Sequence, residues 1–325
     1  MRAIVQRAYG SPDVLALEDI DTPALDDDGV LVRVRASSVN RADAYRIRGV
    51  PWFVTLLMTR SLRQSPPDLV PGTDVAGHVE AVGRNVTQFR PGDDVFGARS
   101  GAYAEYVRIT EQSAIVPKPA NITFEQAGAV GIAGCTALQG LRDTGKLRPG
   151  QRVLINGATG GVGTFAVQIA KALGAHVTAV CKTSNVELVR SLGADEVIDY
   201  THEDFANGGE RYDLFFDVAG SRSLSTYTSV LAPGGTVVLA GARKGGFAGI
   251  MWRIAEASLR TRLGKHPIRF FVAKLKKEDL LVLKELMEAG TVTPFVDRTY
   301  PLSETAAAVR YLEEGHARGK VVITI

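Results

Sequence analysis

Val153-Leu154-Ile155-Asn156-Gly157-Ala158-Thr159-Gly160-Gly161-Val162-Gly163 reads as a short apolar strand running straight into a glycine turn. Thr164 to Leu173 follow with Phe165, Val167, Ile169 and Ala170 at helical spacing, and His176 to Val180 then form a second apolar run. Strand, glycine turn, helix and strand in that order predict a dinucleotide site, in a variant of G-x-G-x-x-G where Ala158, Gly160 and Gly163 hold the three key places. Gly160 would let the backbone approach a pyrophosphate, and Gly163 would let helix and strand pack closely. The start of the helix would supply unpaired amides and the positive end of a dipole.

The second run ends in Cys181-Lys182-Thr183-Ser184-Asn185. A domain suited to NADH carries an Asp or Glu at this point for the ribose 2′-hydroxyl, but no acid appears before Glu187. Lys182 offers a positive charge instead, and Thr183, Ser184 and Asn185 offer short polar groups suited to a 2′-phosphate, so the expected cofactor is NADPH.

Working outward, the residues from Phe124 alternate strands with helices: Val153–Asn156, His176–Val180, Glu196–Ile198, Leu214–Asp217, Thr236–Ala240 and Arg269–Val272. That order predicts an α/β fold with a doubly wound parallel sheet of Rossmann type. Before about residue 121 the pattern is β-rich, with Val30–Ala36, Val75–Val82 and Tyr103–Ile109 separated by turns at Pro71-Gly72 and Pro91-Gly92. Lys276 to Ala289 reads as an amphipathic helix, and Lys320 to Ile325 as a closing strand that returns to complete the first domain.

Composition narrows the function classes. The chain has 325 residues, 45% hydrophobic and 22% charged, and a formal charge of +3, too small to argue for nucleic acid. Ten Lys or Arg do crowd between Arg243 and Lys277, against Glu256 alone. Met1 to Val5 alternates like an edge strand with no signal-peptide pattern, and no apolar run has the length of a membrane span, which together lead us to expect a soluble, cytoplasmic protein. Cys135 and Cys181 lie far apart, and His78, His176, His202, His266 and His316 lack ligand spacing, so no resident metal is expected.

Several motifs occur together in order: Ser38-Val39-Asn40-Arg41-Ala42-Asp43, Pro71-Gly72-Thr73-Asp74-Val75-Ala76-Gly77, Gly134-Cys135-Thr136-Ala137-Leu138, Glu196-Val197-Ile198-Asp199-Tyr200, Phe216-Asp217-Val218-Ala219-Gly220 and Arg318-Gly319-Lys320-Val321-Val322. In this the chain resembles the medium-chain dehydrogenase/reductase superfamily, and within it the zinc-free quinone oxidoreductase-like branch. The resemblance covers nearly the whole sequence. It implies an irregular β-rich GroES-like catalytic domain from residues 1–121 and 274–325, and a Rossmann domain from residues 122–273. It also implies cofactor contacts from Thr136, Ala158, Thr159, Gly160, Gly161, Val162, Lys182, Ser184, Asn185, Tyr200, Val218, Ala219, Gly241 and Lys320.

Zinc-dependent relatives place a Cys near the first motif and a His-Glu in the second, where this chain has Asn40 and Thr73-Asp74. The expected chemistry is therefore hydride transfer to an acceptor that is already electron-poor: a small apolar quinone or an α,β-unsaturated carbonyl compound. The resemblance puts Asn40 and Tyr45 beside the nicotinamide as catalytic residues, with the Asn40 amide bonding to a carbonyl oxygen or to the cofactor and the Tyr45 hydroxyl donating a hydrogen bond or a proton. It also implies a homodimer. Residues 50–63 and 246–266 would cover the pocket, form an interface or rest on a membrane surface. The rival reading is a non-catalytic NADPH-binding sensor, or a protein associated with membrane or nucleic acid, and the basic stretch Arg243 to Lys277 favours it.

Overall fold

The computed structural model describes residues 1–49, 69–240, 255–262, 264 and 266–325. Residues 50–63, most of 246–266 and Gly241 therefore lie wholly or largely outside the described residues. The chain divides into two compact units, Met1–Ala133 with Leu275–Ile325, and Gly134–Lys274.

In the second unit, β8 (Arg152–Asn156), β9 (His176–Cys181), β10 (Glu196–Asp199), β11 (Tyr212–Asp217), β12 (Leu231–Leu239) and β13 (Ile268–Phe270) pair in parallel, in the order β10-β9-β8-β11-β12-β13. The strands are near-continuous apolar runs because both faces of such a sheet are covered; Val153, Leu154 and Ile155 are all fully buried. Phe215 stacks on Tyr227, with ring centroids 4.4 Å apart, in the core cluster on one side of the sheet. The strand order reverses direction between β8 and β11, and in an open parallel sheet the crevice at such a switch point is where ligands bind.

The helix after β8 spans Gly161–Ala172, so it starts three residues before the expected Thr164 and takes the last three glycine-turn residues into its first turn. Gly163 allows this. A Cβ at Gly163 would lie 2.1 Å from the Gly157 carbonyl oxygen, a backbone atom that cannot swing aside.

In the first unit, β1 (Arg2–Gln6) pairs with β2 (Leu15–Asp19), as an edge strand at the N-terminus would. The larger sheet runs β14 (Val296–Pro301), β15 (Lys320–Thr324), β3 (Gly29–Val39), β4 (Asp74–Val82), β5 (Asp94–Ala98), β7 (Ala114–Pro117), with β6 (Tyr106–Thr110) added to β3. The β6 strand starts later than the expected Tyr103: Tyr103 is instead fully buried, its hydroxyl donating to the Ser38 carbonyl at 3.2 Å. Val30, Val32, Val34, Val75, Val79, Val95 and Ile115 interlock as one core of β-branched side chains, the residues that pack best on a pleated surface. The closing strand does return, with Val321, Val322 and Ile323 opposite Val39, Ser38 and Ser37.

Candidate active site

In the second unit the described candidate cofactor residues other than Thr136 lie at the carboxyl ends of β8, β9, β10 and β11. Thr164 donates the first helical hydrogen bond, to the Gly160 carbonyl at 3.0 Å, so the amides of Gly161, Val162 and Gly163 have no acceptor within the helix. Apart from its chain neighbours, a Cβ at Gly160 would meet no atom of the described residues closer than 3.6 Å, and its φ of −78° is open to any residue. What glycine leaves at position 160 is room beside three unpaired amides, which fits a pyrophosphate. Ala158 plays a different part. It is buried and its amide donates to the Val180 carbonyl, tying the turn to β9.

Next along, Asn185 is 3% exposed; its amide reaches Thr159 Oγ1 at 3.4 Å while its own Oδ1 is buried without a partner. A buried amide oxygen left unpaired is costly, and a sugar hydroxyl would satisfy it. The half-buried Lys182 ammonium has no hydrogen-bond or ion-pair partner among the described residues, and Ser184 is exposed beside it. Tyr200 presents an aromatic ring that is 55% exposed, and its amide is held by the Cys181 carbonyl. At the end of β11, Val218 donates to the Asn156 carbonyl, and Ala219 lies 3.1 Å from where a Gly157 Cβ would stand. Asn156 braces the two strand ends, donating to Asp217 and Ser221 at 2.9 and 3.0 Å. Thr136 sits half-buried on the helix Gly131–Leu138.

Sequence reasoning missed one acid here. It searched for a carboxylate after β9, whereas Asp199 arrives from the neighbouring β10, in register with Cys181. Asp199 accepts from Thr201 N and Oγ1 at 3.0 and 2.7 Å, and Thr201 Oγ1 is 2.8 Å from Thr183 Oγ1. Desolvation pushes its carboxyl up, but the hydrogen bonds from Thr183 and Thr201 outweigh this and hold it below the ordinary value. The neighbouring Cys181 thiol is pushed up to about 11, by burial first and then by Asp199, which leaves it unreactive.

The first unit assembles a second polar cluster, almost wholly buried. Asn40 ends β3's run and caps the helix Arg41–Arg48, Asp74 opens β4, and Lys320 opens β15. Asn40 Nδ2 donates to Asp43 Oδ2 and to Asp74 Oδ2, each at 3.0 Å, and Asn40 Oδ1 accepts from Lys320 Nζ at 2.6 Å. Asp74 Oδ2 also accepts from Ser38 Oγ at 2.6 Å and from Lys320 Nζ at 3.3 Å, while its Oδ1 accepts from the Ile132 amide at 2.7 Å. Asp43 accepts in addition from the Asn40 amide and from Thr73 Oγ1, at 2.9 and 2.7 Å. Burial above all, with the Asp74 charge in support, raises the Asp43 carboxyl despite those bonds.

This geometry corrects the role expected of Asn40. Both hydrogens of its amide nitrogen are committed to carboxylates, so it has none left for a carbonyl oxygen. Tyr45 differs: it is 42% exposed, and its hydroxyl makes no hydrogen bond to any described residue. Lys320, expected as a cofactor contact, is held in the first unit's network. Part of the basic stretch is likewise absorbed by the fold, with Arg260 paired to Glu256, Arg269 donating to the Thr144 carbonyl and Lys277 reaching Gln88 Oε1. Among the described residues no group of three or more His, Cys, Asp or Glu could hold a metal ion.

Comparison with known proteins agrees with this arrangement. An alcohol dehydrogenase GroES-like domain model matches residues 26–120, and a zinc-binding dehydrogenase model matches residues 192–323. The NADPH-dependent alkenal/one oxidoreductase of Arabidopsis thaliana chloroplasts is 35% identical, over 99% of this chain and 79% of that protein. The quinone oxidoreductase of Coxiella burnetii has a TM-score of 0.84 at 28% identity, covering 100% of this chain and 99% of that one. The Escherichia coli quinone oxidoreductase, solved in complex with NADPH, has a TM-score of 0.81 at 26% identity with both chains fully covered. Two units of this architecture, a glycine cradle at the switch point of the parallel sheet and likeness along the full length together place the chain in the medium-chain dehydrogenase/reductase superfamily, in its quinone oxidoreductase-like branch.

Proposed function

We propose that this protein is an NADPH-dependent oxidoreductase that reduces quinones or α,β-unsaturated carbonyl compounds. The observation that carries the reading is the cradle at Gly160, where three helix amides, an open glycine, the orphan Asn185 Oδ1 and the Lys182 ammonium, all without partners among the described residues, lie in sequence at the carboxyl end of the sheet. Those groups match, in order, a pyrophosphate, a ribose hydroxyl and a 2′-phosphate. The named activities of the Arabidopsis and bacterial relatives support both the cofactor and the acceptor class.

Bound there, a dihydronicotinamide supplies a hydride. The chain's own residues do the rest. Gly161 to Gly163 hold the phosphates through backbone amides, Asn185 and Lys182 fix the adenosine end, and Tyr200 offers its exposed ring to the adenine. Asn40 is held in one orientation by Asp43, Asp74 and Lys320, and Tyr45 offers a free hydroxyl to the acceptor. Because the acceptor carries its own electron deficiency, its oxygen needs only hydrogen-bond donors as negative charge develops.

The proposal extends to a homodimer. Among the described residues β13 pairs only with β12, and beyond that open edge Phe270 and Val272 are 46% and 68% exposed, which suits continuation of the sheet across a two-fold axis. Loss of NADPH absorbance with a panel of simple quinones and enones tests the enzymatic reading. Tight NADPH binding with no turnover of any acceptor would favour a binding protein instead.

A further inference from the structure

We infer that Asp199 is a positioning residue for cofactor choice: acting through Thr201 and Thr183, it sets the loop after β9 in the shape that receives a 2′-phosphate. This assignment rests on the proposed function in one respect, that Lys182 faces that phosphate. Asp199 ends β10, and strand pairing brings it level with Cys181, the residue before Lys182. A domain suited to NADH uses an acid near this place to accept from the ribose 2′-hydroxyl. Asp199 is turned elsewhere. Its Oδ1 accepts from Thr201 N and Thr201 Oγ1, at 3.0 and 2.7 Å, and its Oδ2 lies 3.8 Å from the His202 imidazole.

A hydroxyl has one hydrogen. Thr201 gives its own to Asp199, so across the 2.8 Å separation between Thr201 Oγ1 and Thr183 Oγ1 it is Thr183 that donates. The relay runs from Thr183 through Thr201 to the carboxylate, and it spends the Thr183 hydrogen within the protein. Of the two exposed hydroxyls that follow Lys182, Ser184 keeps a hydrogen for a ligand and Thr183 does not. The relay also has a mechanical result. Thr183 opens the short 3-10 turn Thr183–Asn185, which the Asn185 amide closes on the Lys182 carbonyl at 2.9 Å. An isolated turn fixes several dihedral angles for one hydrogen bond, so it holds its shape poorly alone. Tying Thr183 to the turn after β10, where the Tyr200 amide is held by the Cys181 carbonyl at 3.0 Å, orders both loops before a ligand arrives. A loop already ordered gives up less entropy on binding. Lys182 and Ser184 flank the tied residue, so the benefit falls on the cofactor that carries a 2′-phosphate.

The test uses the full chain and two probes without a nicotinamide, 2′,5′-ADP and 5′-AMP, titrated by calorimetry with thermal unfolding followed alongside. The wild type should bind 2′,5′-ADP more tightly. Asp199→Ala and Thr201→Val should each reduce that preference by about 5- to 30-fold, the worth of ordering roughly one residue, and Thr201→Ser, which keeps the hydroxyl, should retain it. The sign separates the readings, because taking a negative charge away from a phosphate, or an acid away from a ribose 2′-hydroxyl, makes the preference larger. An Asp199→Ala protein with an equal or larger preference would therefore overturn the proposal. So would a loss in Thr183→Val that Thr201→Val does not share, since Thr183 would then touch the phosphate itself. Should Asp199→Ala fail to fold, Thr201→Val and Thr201→Ser decide the matter alone. A wild type with no preference for 2′,5′-ADP refutes the 2′-phosphate assignment and this proposal together. A wild type that shows the preference and turns over no quinone or enone loses the enzymatic reading alone, and the part given to Asp199 stands.

Discussion

Two glycines three residues apart should respond in opposite ways to the same added methyl group. At Gly163, alanine puts its Cβ 2.1 Å from the Gly157 oxygen and 2.7 and 2.8 Å from backbone atoms of Ala158. The helix Gly161–Ala172 would have to move off the turn by more than an ångström, and overpacking of that kind costs about 1–3 kcal/mol. At Gly160 the same Cβ meets only the Gly157 oxygen, at 3.6 Å, an ordinary contact. Its φ of −78° adds no strain, so the lower chain entropy of alanine, worth about 0.4–1 kcal/mol, roughly offsets alanine's poorer fit at a helix N-cap. Stability of Gly160→Ala should therefore match the wild type. Its methyl group instead occupies the space left beside the free amides, and losing one charge-assisted hydrogen bond to phosphate costs about 1.5–3 kcal/mol, or roughly 10- to 100-fold in Kd. Thermal unfolding by circular dichroism and NADPH titration by fluorescence read the two effects separately. A Gly160→Ala protein that binds NADPH as tightly as the wild type, or that melts as low as Gly163→Ala, would refute the cradle.

Lys182→Ala should erase about 1–3 kcal/mol of preference for NADPH over NADH, measured as the ratio of their dissociation constants, and equal affinities in the wild type would refute the 2′-phosphate assignment. Asn40→Ala should lower turnover more than Tyr45→Phe does, with NADPH affinity nearly unchanged, because it removes the amide that ties Asp43, Asp74 and Lys320 into one buried network; steady-state kinetics decide it, and an unaltered turnover in both variants would refute the site. Elemental analysis should find far less than one zinc per chain, and prolonged chelation should leave activity intact; stoichiometric zinc would contradict this. Desolvation raises the Asp195 carboxyl, but Lys171 Nζ at 2.7 Å and the Val177 amide at 2.7 Å more than compensate, holding it below its ordinary value. That stability is present above the ordinary carboxylate range and is lost as pH falls through the depressed value, so acid unfolding of Asp195→Asn should show a flatter low-pH limb than the wild type; identical limbs would exclude the linkage.

The second unit was legible because its signals are local. A strand of Val, Leu and Ile, a turn of glycines and a helix with period 3.6 lie within some 20 residues, and each is dictated by its own sterics. Helix and strand ends moved by a few residues where packing intervened, as when Gly163 let the helix begin early and Tyr103 left its strand for the core. The polar cluster of the first unit was legible only as a set of residue types. Asn40 could be picked out from its motif, but what occupies its amide depends on Asp74, 34 positions away, and Lys320, 280 positions away. No local rule reports such partners. Asp199 escaped for the same reason, since it reaches the end of β9 through strand pairing and not through succession.

The placement of β15 between β14 and β3 bears on how the chain is made. Emerging from the ribosome, residues 134–274 can close their own parallel sheet, while the first unit is still missing an interior strand. Val39 must wait for Val321 before its edge is covered, a loop closure that spans most of the polypeptide. Until then β3 exposes an open edge next to Asp43 and Asp74 with their counter-ion not yet synthesised, a state that invites chaperone capture. The strand that brings Lys320 thus completes the sheet and neutralises the buried acids in one late step, so a nascent chain stalled before Lys320 should carry a folded dinucleotide unit beside an unfinished partner.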